Sequence, residues 1–319
     1  MVSIHAVRES NTRLACLPTG LVALFIGATS GIGKSTLHQF AQHVPAPHVY
    51  TVARPQTVQS HESFLTKLRQ TNPDGSYNLI TADISLISEV KKVVEAVKKA
   101  ETQLDFLFLS PGFMPVDGRH DTSEGLDPSM TTRYYSRIRA IQQLIPLLNS
   151  AASPRIISVL AGGFEGPLNE QDLDLRDPNH WTPWASSVHS ATMGTLSLER
   201  IARENPRISI VHWFPGPVPT PGLAKLAKFG HTPPENGMSQ EEAGARALFL
   251  ATSDRYSVHG SLVPVPESLE NPKKSGGGIF LINPVGESTD NEAVLGGMRE
   301  RGVDEAVWKF TEKIFMDHD

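Results

Sequence analysis

A single cysteine, Cys16, stands in the 319 residues, so neither an intrachain disulfide nor a thiolate metal cage can form. Positive charge is scarce too. The 29 Lys and Arg against 34 Asp and Glu leave a net charge of -5, with no basic run of the kind that neutralises phosphates. That balance weighs against nucleic acid as the main partner. The apolar run at residues 21–26 is strand-length, far short of the roughly 20 residues that cross a bilayer. Residues 1–20 scatter His5, Arg8, Glu9, Asn11 and Arg13 among apolar positions, so no secretory apolar region forms. A cytoplasmic protein with no membrane partner is expected. No metal is expected either, since His180 has no second ligand at suitable spacing. Internal repeats, heptads and a long interdomain linker are also missing.

What is present is an alternation. Hydrophobic residues at 39% and charged residues at 20% are ordinary for a globular chain, so the pattern must carry the argument. Apolar or β-branched runs at 21–26, 48–53, 77–81, 104–109, 154–160, 208–214 and 277–283 read as strands. Helical patterns lie between or after them at 31–43, 64–70, 87–100, 128–149, 184–204, 240–252 and 303–316. Strand and helix in turn, joined by short links, predict an α/β fold: a Rossmann-like, doubly wound parallel sheet with right-handed crossovers. The expected organisation is one dinucleotide-binding domain over 21–255, with an N-terminal extension at 1–20. A C-terminal extension at 256–319 packs on the same domain.

The junction between the first strand and first helix is Gly27-Ala28-Thr29-Ser30-Gly31-Ile32-Gly33. A helix N-terminus exposes unpaired N–H groups and the positive end of a dipole, and glycines let a backbone approach a pyrophosphate. A tight turn without a ligand is the plain alternative. Gly33-Lys34-Ser35 resembles the end of a phosphate-binding G-x-x-x-x-G-K-[ST] loop, but that spacing needs glycine at Ala28. A nucleotide triphosphatase is therefore not expected.

The G-x-x-x-G-x-G spacing resembles the short-chain dehydrogenase/reductase family, with Ile26 in place of its usual threonine. Further landmarks follow in that family's order. Asp83-Ile84 resembles its adenine-contacting pair, and Ser110-Pro111-Gly112 stands where it has Asn-Ala-Gly. Residues 122–127 resemble the segment leading into its long helix. Pro215-Gly216-Pro217-Val218-Pro219-Thr220 is similar to its nicotinamide-side loop. The likeness spans about residues 20–255. It implies that Gly27, Thr29, Ser30, Gly31, Ile32, Gly33, Asp83, Ile84, Pro111, Gly112, Pro215, Gly216, Val218 and Thr220 hold the dinucleotide. Relatives often pair through the helices at 128–149 and 184–204, so the resemblance allows a homodimer, and the sequence leaves the oligomeric state open. Residues 133–137 and 188–193 look similar to divergent fungal members, some of them in specialised metabolism.

The residue ending the second strand chooses the cofactor, because a carboxylate there suits NAD and an arginine suits the 2′-phosphate of NADP. Here Ala53-Arg54-Pro55 brings Arg54 and no acid, which favours NADP(H), with Lys34 a second charge nearby.

The catalytic end departs from the family. Its hydride transfer uses an Asn, a Ser and a Tyr-x-x-x-Lys pair, the lysine and cofactor lowering a tyrosine pKa that is otherwise near 10. No Tyr-x-x-x-Lys occurs anywhere in this chain. Alignment along the helices gives Ala161 or Leu160 the serine slot and Ser186 or Ser187 the tyrosine slot. Ser190 or Ala191 takes the lysine slot, and Arg133 or Tyr134 the asparagine slot. Arg133, Tyr134 and Ser187 are the expected catalytic candidates, with Tyr135 and His189 as substitute proton sources. Arg133 could instead hold a substrate carboxylate, and Trp181 and Trp184 could line the pocket. The expected activity is oxidation or reduction of a small organic carbonyl or alcohol by a non-standard proton relay. The alternatives are a non-redox cyclase or isomerase and a catalytically dead NADP(H) sensor.

Overall fold

The computed structural model describes residues 1–116, 118–227, 237–267 and 269–318, with side chains at 225–227 left out. Seven strands form one sheet: β1 (Val22–Ile26), β2 (His48–Ala53), β3 (Ser76–Thr81), β4 (Phe106–Leu109), β5 (Arg155–Val159), β6 (Ser209–Trp213) and β7 (Phe280–Ile282). All pairings are parallel, in the order β3-β2-β1-β4-β5-β6-β7. The chain leaves β1 toward one edge through β2 and β3, then returns to lay β4 on β1's other side. That reversal opens a crevice at the carboxyl ends of β1 and β4, where ligands bind in open α/β sheets.

Helices cover both faces. One side carries α1 (Ile4–Thr12), α2 (Gly31–His43), α3 (Val58–Thr71) and α9 (Gln240–Thr252). The other carries α4 (Ile87–Ala100), α6 (Ser136–Ser150) and α7 (Pro183–Glu204), with α10 (Glu292–Glu300) and α11 (Val303–Met316) outside them. Two short helices, α5 (Pro128–Met130) and α8 (Pro221–Ala227), complete the set. Burial explains the strand sequences: every residue of β1, β4, β5, β6 and β7 is buried, as expected of strands covered on two sides. α4 shows the amphipathic logic, with Val90, Val93, Val94 and Val97 inside and Lys91, Lys92, Lys98 and Lys99 facing out.

The expected elements are found, with α3 beginning six residues before residue 64. Three helices lacked a legible signal. α1 is polar, yet Ser3 Oγ caps it through the Ala6 N–H, and Asn11 donates to the Ala245 carbonyl on α9 at 2.9 Å. α8 and α10 are short. The helix expected over 128–149 is continuous but not uniform: α5 runs into a π-helical turn, Thr131–Tyr135, before α6. Such a turn widens the helix by one residue and is frequent at functional sites. No helix among the described residues is long and apolar enough to cross a membrane.

Candidate functional site

The crevice begins at the glycine turn. Gly27 adopts φ +98°, and a Cβ there would lie 2.4 Å from the Pro111 nitrogen. A Cβ on Gly33 would meet Ser110 Oγ at 2.3 Å, and that hydroxyl donates to the Gly27 carbonyl at 3.2 Å. These two glycines are therefore dictated by the chain's own packing, β1 and α2 closing on the end of β4. Gly31 differs. It sits at the first position of α2 with φ +58°, and its missing Cβ would point at Thr220 Cγ2, 2.9 Å away. The glycine turn and the 215–220 loop thus face each other across the crevice. Ser30 is exposed and makes no side-chain capping bond to α2, and the Thr29 side chain is half-buried. An open helix N-terminus with free hydroxyls fits a diphosphate.

At the end of β2, Arg54 is exposed. Lys34 is exposed as well, its ammonium 4.7 Å from the Phe64 ring centroid. Its charge also acts on His61, which burial first and Lys34 second push down to about 4. Two cations therefore flank the crevice's second-strand side. Asp83 Oδ1 accepts from the Ser85 N–H and hydroxyl, and Ile84 is buried with its carbonyl taken by Ser136 Oγ.

Beyond the end of β4, the structure brings Arg133 and Ser187 together. The π-helical turn directs Arg133 under the exposed Gly112, whose missing Cβ would lie 2.9 Å from Arg133 Cγ. Its guanidinium spans the gap to α7, donating from Nη1 to Ser187 Oγ at 2.9 Å and from Nη2 to Ser186 Oγ at 2.7 Å. Nε donates to the Ser129 carbonyl at 3.3 Å. The side chain is only 4% exposed. Burial pushes its pKa down to about 10, with Asp127 opposing, so the group stays cationic near neutrality.

One turn on, Arg137 is buried as deeply, a residue that the sequence alone did not mark as part of the site. Its donors reach the carbonyls of Leu109, Pro111, Thr132 and Val159 and the Ser158 hydroxyl, tying the ends of β4 and β5 together. Burial first and Arg133 second push it down to about 9. Neither arginine has a carboxylate within ion-pair distance among the described residues. The i,i+4 spacing of two arginines on a helix with an apolar face was the available signal.

Tyr134 is a correction. Its hydroxyl points away from the crevice into the contact with α11, bonded to Ser197 Oγ at 2.8 Å and Thr311 Oγ1 at 2.6 Å. Burial pushes its pKa up to about 12, which suits a structural hydroxyl and not a proton donor. Tyr135 is likewise buried, donating to Asp174 Oδ1 at 2.8 Å. His189 is held neutral by burial, with Nε2 accepting from the Asn169 N–H and Nδ1 against the Leu173 carbonyl.

A second network sits under the serine slot. His212 Nε2 accepts from the Ala161 N–H at 3.3 Å, while Nδ1 meets Thr195 Oγ1 at 2.8 Å. Thr195 in turn donates to Glu165 Oε1 at 2.6 Å, and Glu165 accepts from the Gly163 N–H. Asn291, from the C-terminal extension, closes the set by donating to Glu165. Phe113 and Met114 after β4, Phe164 after β5 and Trp184 in the first turn of α7 are exposed apolar side chains on segments that follow the carboxyl ends of these strands.

The model for the short chain dehydrogenase family matches residues 21–171. The NmrA-like family domain-containing oxidoreductase notO of Aspergillus sp. (strain MF297-2) is 63% identical, over 99% of this chain and 95% of its own length. The short-chain dehydrogenase/reductase SAT2 of Stachybotrys chartarum is 30% identical, over 99% of this chain and 98% of its own. Among solved structures, the NADPH dependent reductase YwfH, involved in bacilysin biosynthesis, aligns at a TM-score of 0.59 and 19% identity. That alignment covers 79% of this chain and all of that one, and is a likeness of fold. Sequence identity along nearly the whole chain, the matched family model and the parallel sheet agree: the chain belongs to the short-chain dehydrogenase/reductase family, and its class is oxidoreductase.

Proposed function

We propose that this protein binds NADP(H) and interconverts a small, largely apolar organic carbonyl compound and its alcohol, using Arg133 and Ser187 in place of a tyrosine–lysine pair. The bond from the Arg133 guanidinium to the half-buried Ser187 hydroxyl carries the reading. The glycine turn, Thr29 and Ser30 would hold the diphosphate, and Arg54 with Lys34 the 2′-phosphate. NADPH dependence of the structural relative YwfH supports that preference. When bound, the dinucleotide supplies or accepts the hydride.

The chain's own residues supply electrostatics. A carbonyl oxygen beside Ser187 accepts its hydrogen bond once the hydroxyl turns from the Pro183 carbonyl, to which it donates at 2.9 Å, and the cation behind that serine stabilises the negative charge developing on the oxygen. A fixed cation in a water-poor site is a strong stabiliser of such charge. Tyr134, Tyr135 and His189 are bonded elsewhere, so in this reading the proton comes from solvent. The exposed Phe113, Met114, Phe164 and Trp184 would form an apolar rim that fits an apolar substrate body. The same lack of a tuned proton donor favours one second reading, a non-redox isomerisation or cyclisation on this scaffold.

The test is to mix the protein with NADPH and follow nicotinamide absorbance over a panel of apolar aldehydes and ketones. Oxidation of NADPH with at least one carbonyl is expected. Tight NADPH binding with no turnover on any of them would transfer the case to the second reading.

A further inference from the structure

Arg133 is not fully served by its surroundings. Of five guanidinium N–H groups, one meets the Ser129 carbonyl and two meet the hydroxyls of Ser186 and Ser187. A fourth faces Met114 Sδ at 3.9 Å, a thioether and so a weak acceptor. The fifth has no acceptor among the described residues. Burying a cation without a carboxylate is costly, and Arg137 places a second such cation one turn away. The helix also carries a π-helical turn where Arg133 emerges.

Met114 and Ser187 are partly exposed side chains in contact with that charge. Met114 is 36% exposed, lies over the guanidinium, and also touches Ser187 Oγ at 3.3 Å. Methionine is flexible and easily displaced. The exposed Gly112 packs against the aliphatic stem of Arg133, where an added Cβ would lie 2.9 Å from Cγ.

We propose that Met114 is the movable cover of an oxyanion site, in which the two Arg133 N–H groups not taken by Ser129, Ser186 and Ser187 bind a delocalised organic oxyanion, a carboxylate or an enolate, on an otherwise apolar substrate whose reacting carbonyl meets Ser187. This rests on the reading above that the crevice is a substrate site, and adds what the substrate must carry. A delocalised oxyanion offers two oxygens or a spread charge to the two free N–H groups, which a neutral ketone does not. The apolar rim receives the rest of the molecule.

The experiment is calorimetric titration of the full-length protein, with and without saturating NADPH, using paired probes. One pair is 1-naphthoate and its methyl ester. The other is a cyclic 1,3-diketone, anionic near neutrality, and its O-methyl enol ether. At least one anion should bind about tenfold more tightly than its neutral partner, the scale of a charge-assisted hydrogen bond. Preference within the first pair alone identifies a carboxylate, and within the second alone an enolate. Arg133→Gln should erase the preference while NADPH binding persists. Met114→Ala, which leaves the buried helix intact, should strengthen anion binding. Equal binding of anion and neutral partner, a preference that survives Arg133→Gln, or a Met114→Ala protein with unchanged anion affinity would each overturn the proposal. So would competition between anion and NADPH, since the arginine would then serve the cofactor. Absence of NADPH binding is a separate result: it defeats the cofactor reading and leaves the anion preference to be judged on its own.

Discussion

Arg133 is a permanent cation with Ser187 held on it, and two substitutions separate its role from that of its neighbour. Arg133→Gln removes the charge but keeps hydrogen-bonding reach, and turnover should fall by about a hundredfold or more, as when one preorganised donor to a developing oxyanion is lost. Steady-state rates at saturating NADPH measure this. Tyr134→Phe should leave the rate unchanged and lower stability by about 1–2 kcal/mol, because two buried hydroxyls lose a partner. Denaturant midpoints read that second effect. A rate loss in Tyr134→Phe would return the tyrosine to the catalytic set. At this scale the sequence was a partial guide. It put Arg133 and Ser187 among the candidates through alignment along two helices, but it offered Tyr134 equally. Adjacent helix positions differ by about 100° in direction, and only packing against α11 decides which of the two faces the crevice.

At the scale of elements, the glycine turn carries a double duty. Its fingerprint spacing is legible because every chain of this fold must bring a strand, a helix and a neighbouring strand end together at one point. Gly33→Ala places a methyl group 2.3 Å from Ser110 Oγ and 2.5 Å from the Gly27 carbonyl, and the helix must move to admit it. A loss of about 1–3 kcal/mol, typical of overpacking, is expected with weaker NADPH binding, checked by thermal midpoint and calorimetry. The strands and most helices were equally legible, since burial on both faces leaves few polar residues in them. The π-helical turn was not. Its sequence, Thr-Thr-Arg-Tyr-Tyr, carries no local signal, and the bonds that Arg133 within it and Arg137 just after it make to other elements are tertiary.

On the scale of the whole molecule, the C-terminal extension does more than pack on the domain. α11 lies on α6 and α7: Arg200 pairs with Glu305, Arg203 with Asp304, Gln142 donates to Glu312, and Arg139 sits over the Phe315 ring. The helix faces through which the family resemblance allowed pairing are thus occupied by the chain itself. Light scattering of the full chain checks this: association through those faces should be absent, and a dimer cross-linked between α6 or α7 residues would contradict it. The extension also reaches the site, since Asn291 holds Glu165 in the network beneath the serine slot. This region's role was not legible in the sequence, because its glycines and prolines show no period.

Acid sensitivity is likewise a property of the whole fold. Burial pushes His61 down to about 4 and His212 to about 3, from 6.5. The folded protein therefore refuses protons that the unfolded chain accepts below pH 6.5, so stability is fully present above that value. It declines as pH falls toward 4, by about 1.4 kcal/mol per pH unit for each histidine. Thermal midpoints should be flat at higher pH and fall across that window.

The cofactor end underlies everything else, and Arg54 tests it most directly. Calorimetric titration of the full chain with NADPH and NADH should show tighter NADPH binding, and Arg54→Gln should weaken NADPH by about tenfold while leaving NADH unchanged, the loss of one charge-assisted phosphate contact. Equal affinity for the two dinucleotides, or binding of neither, would contradict the account.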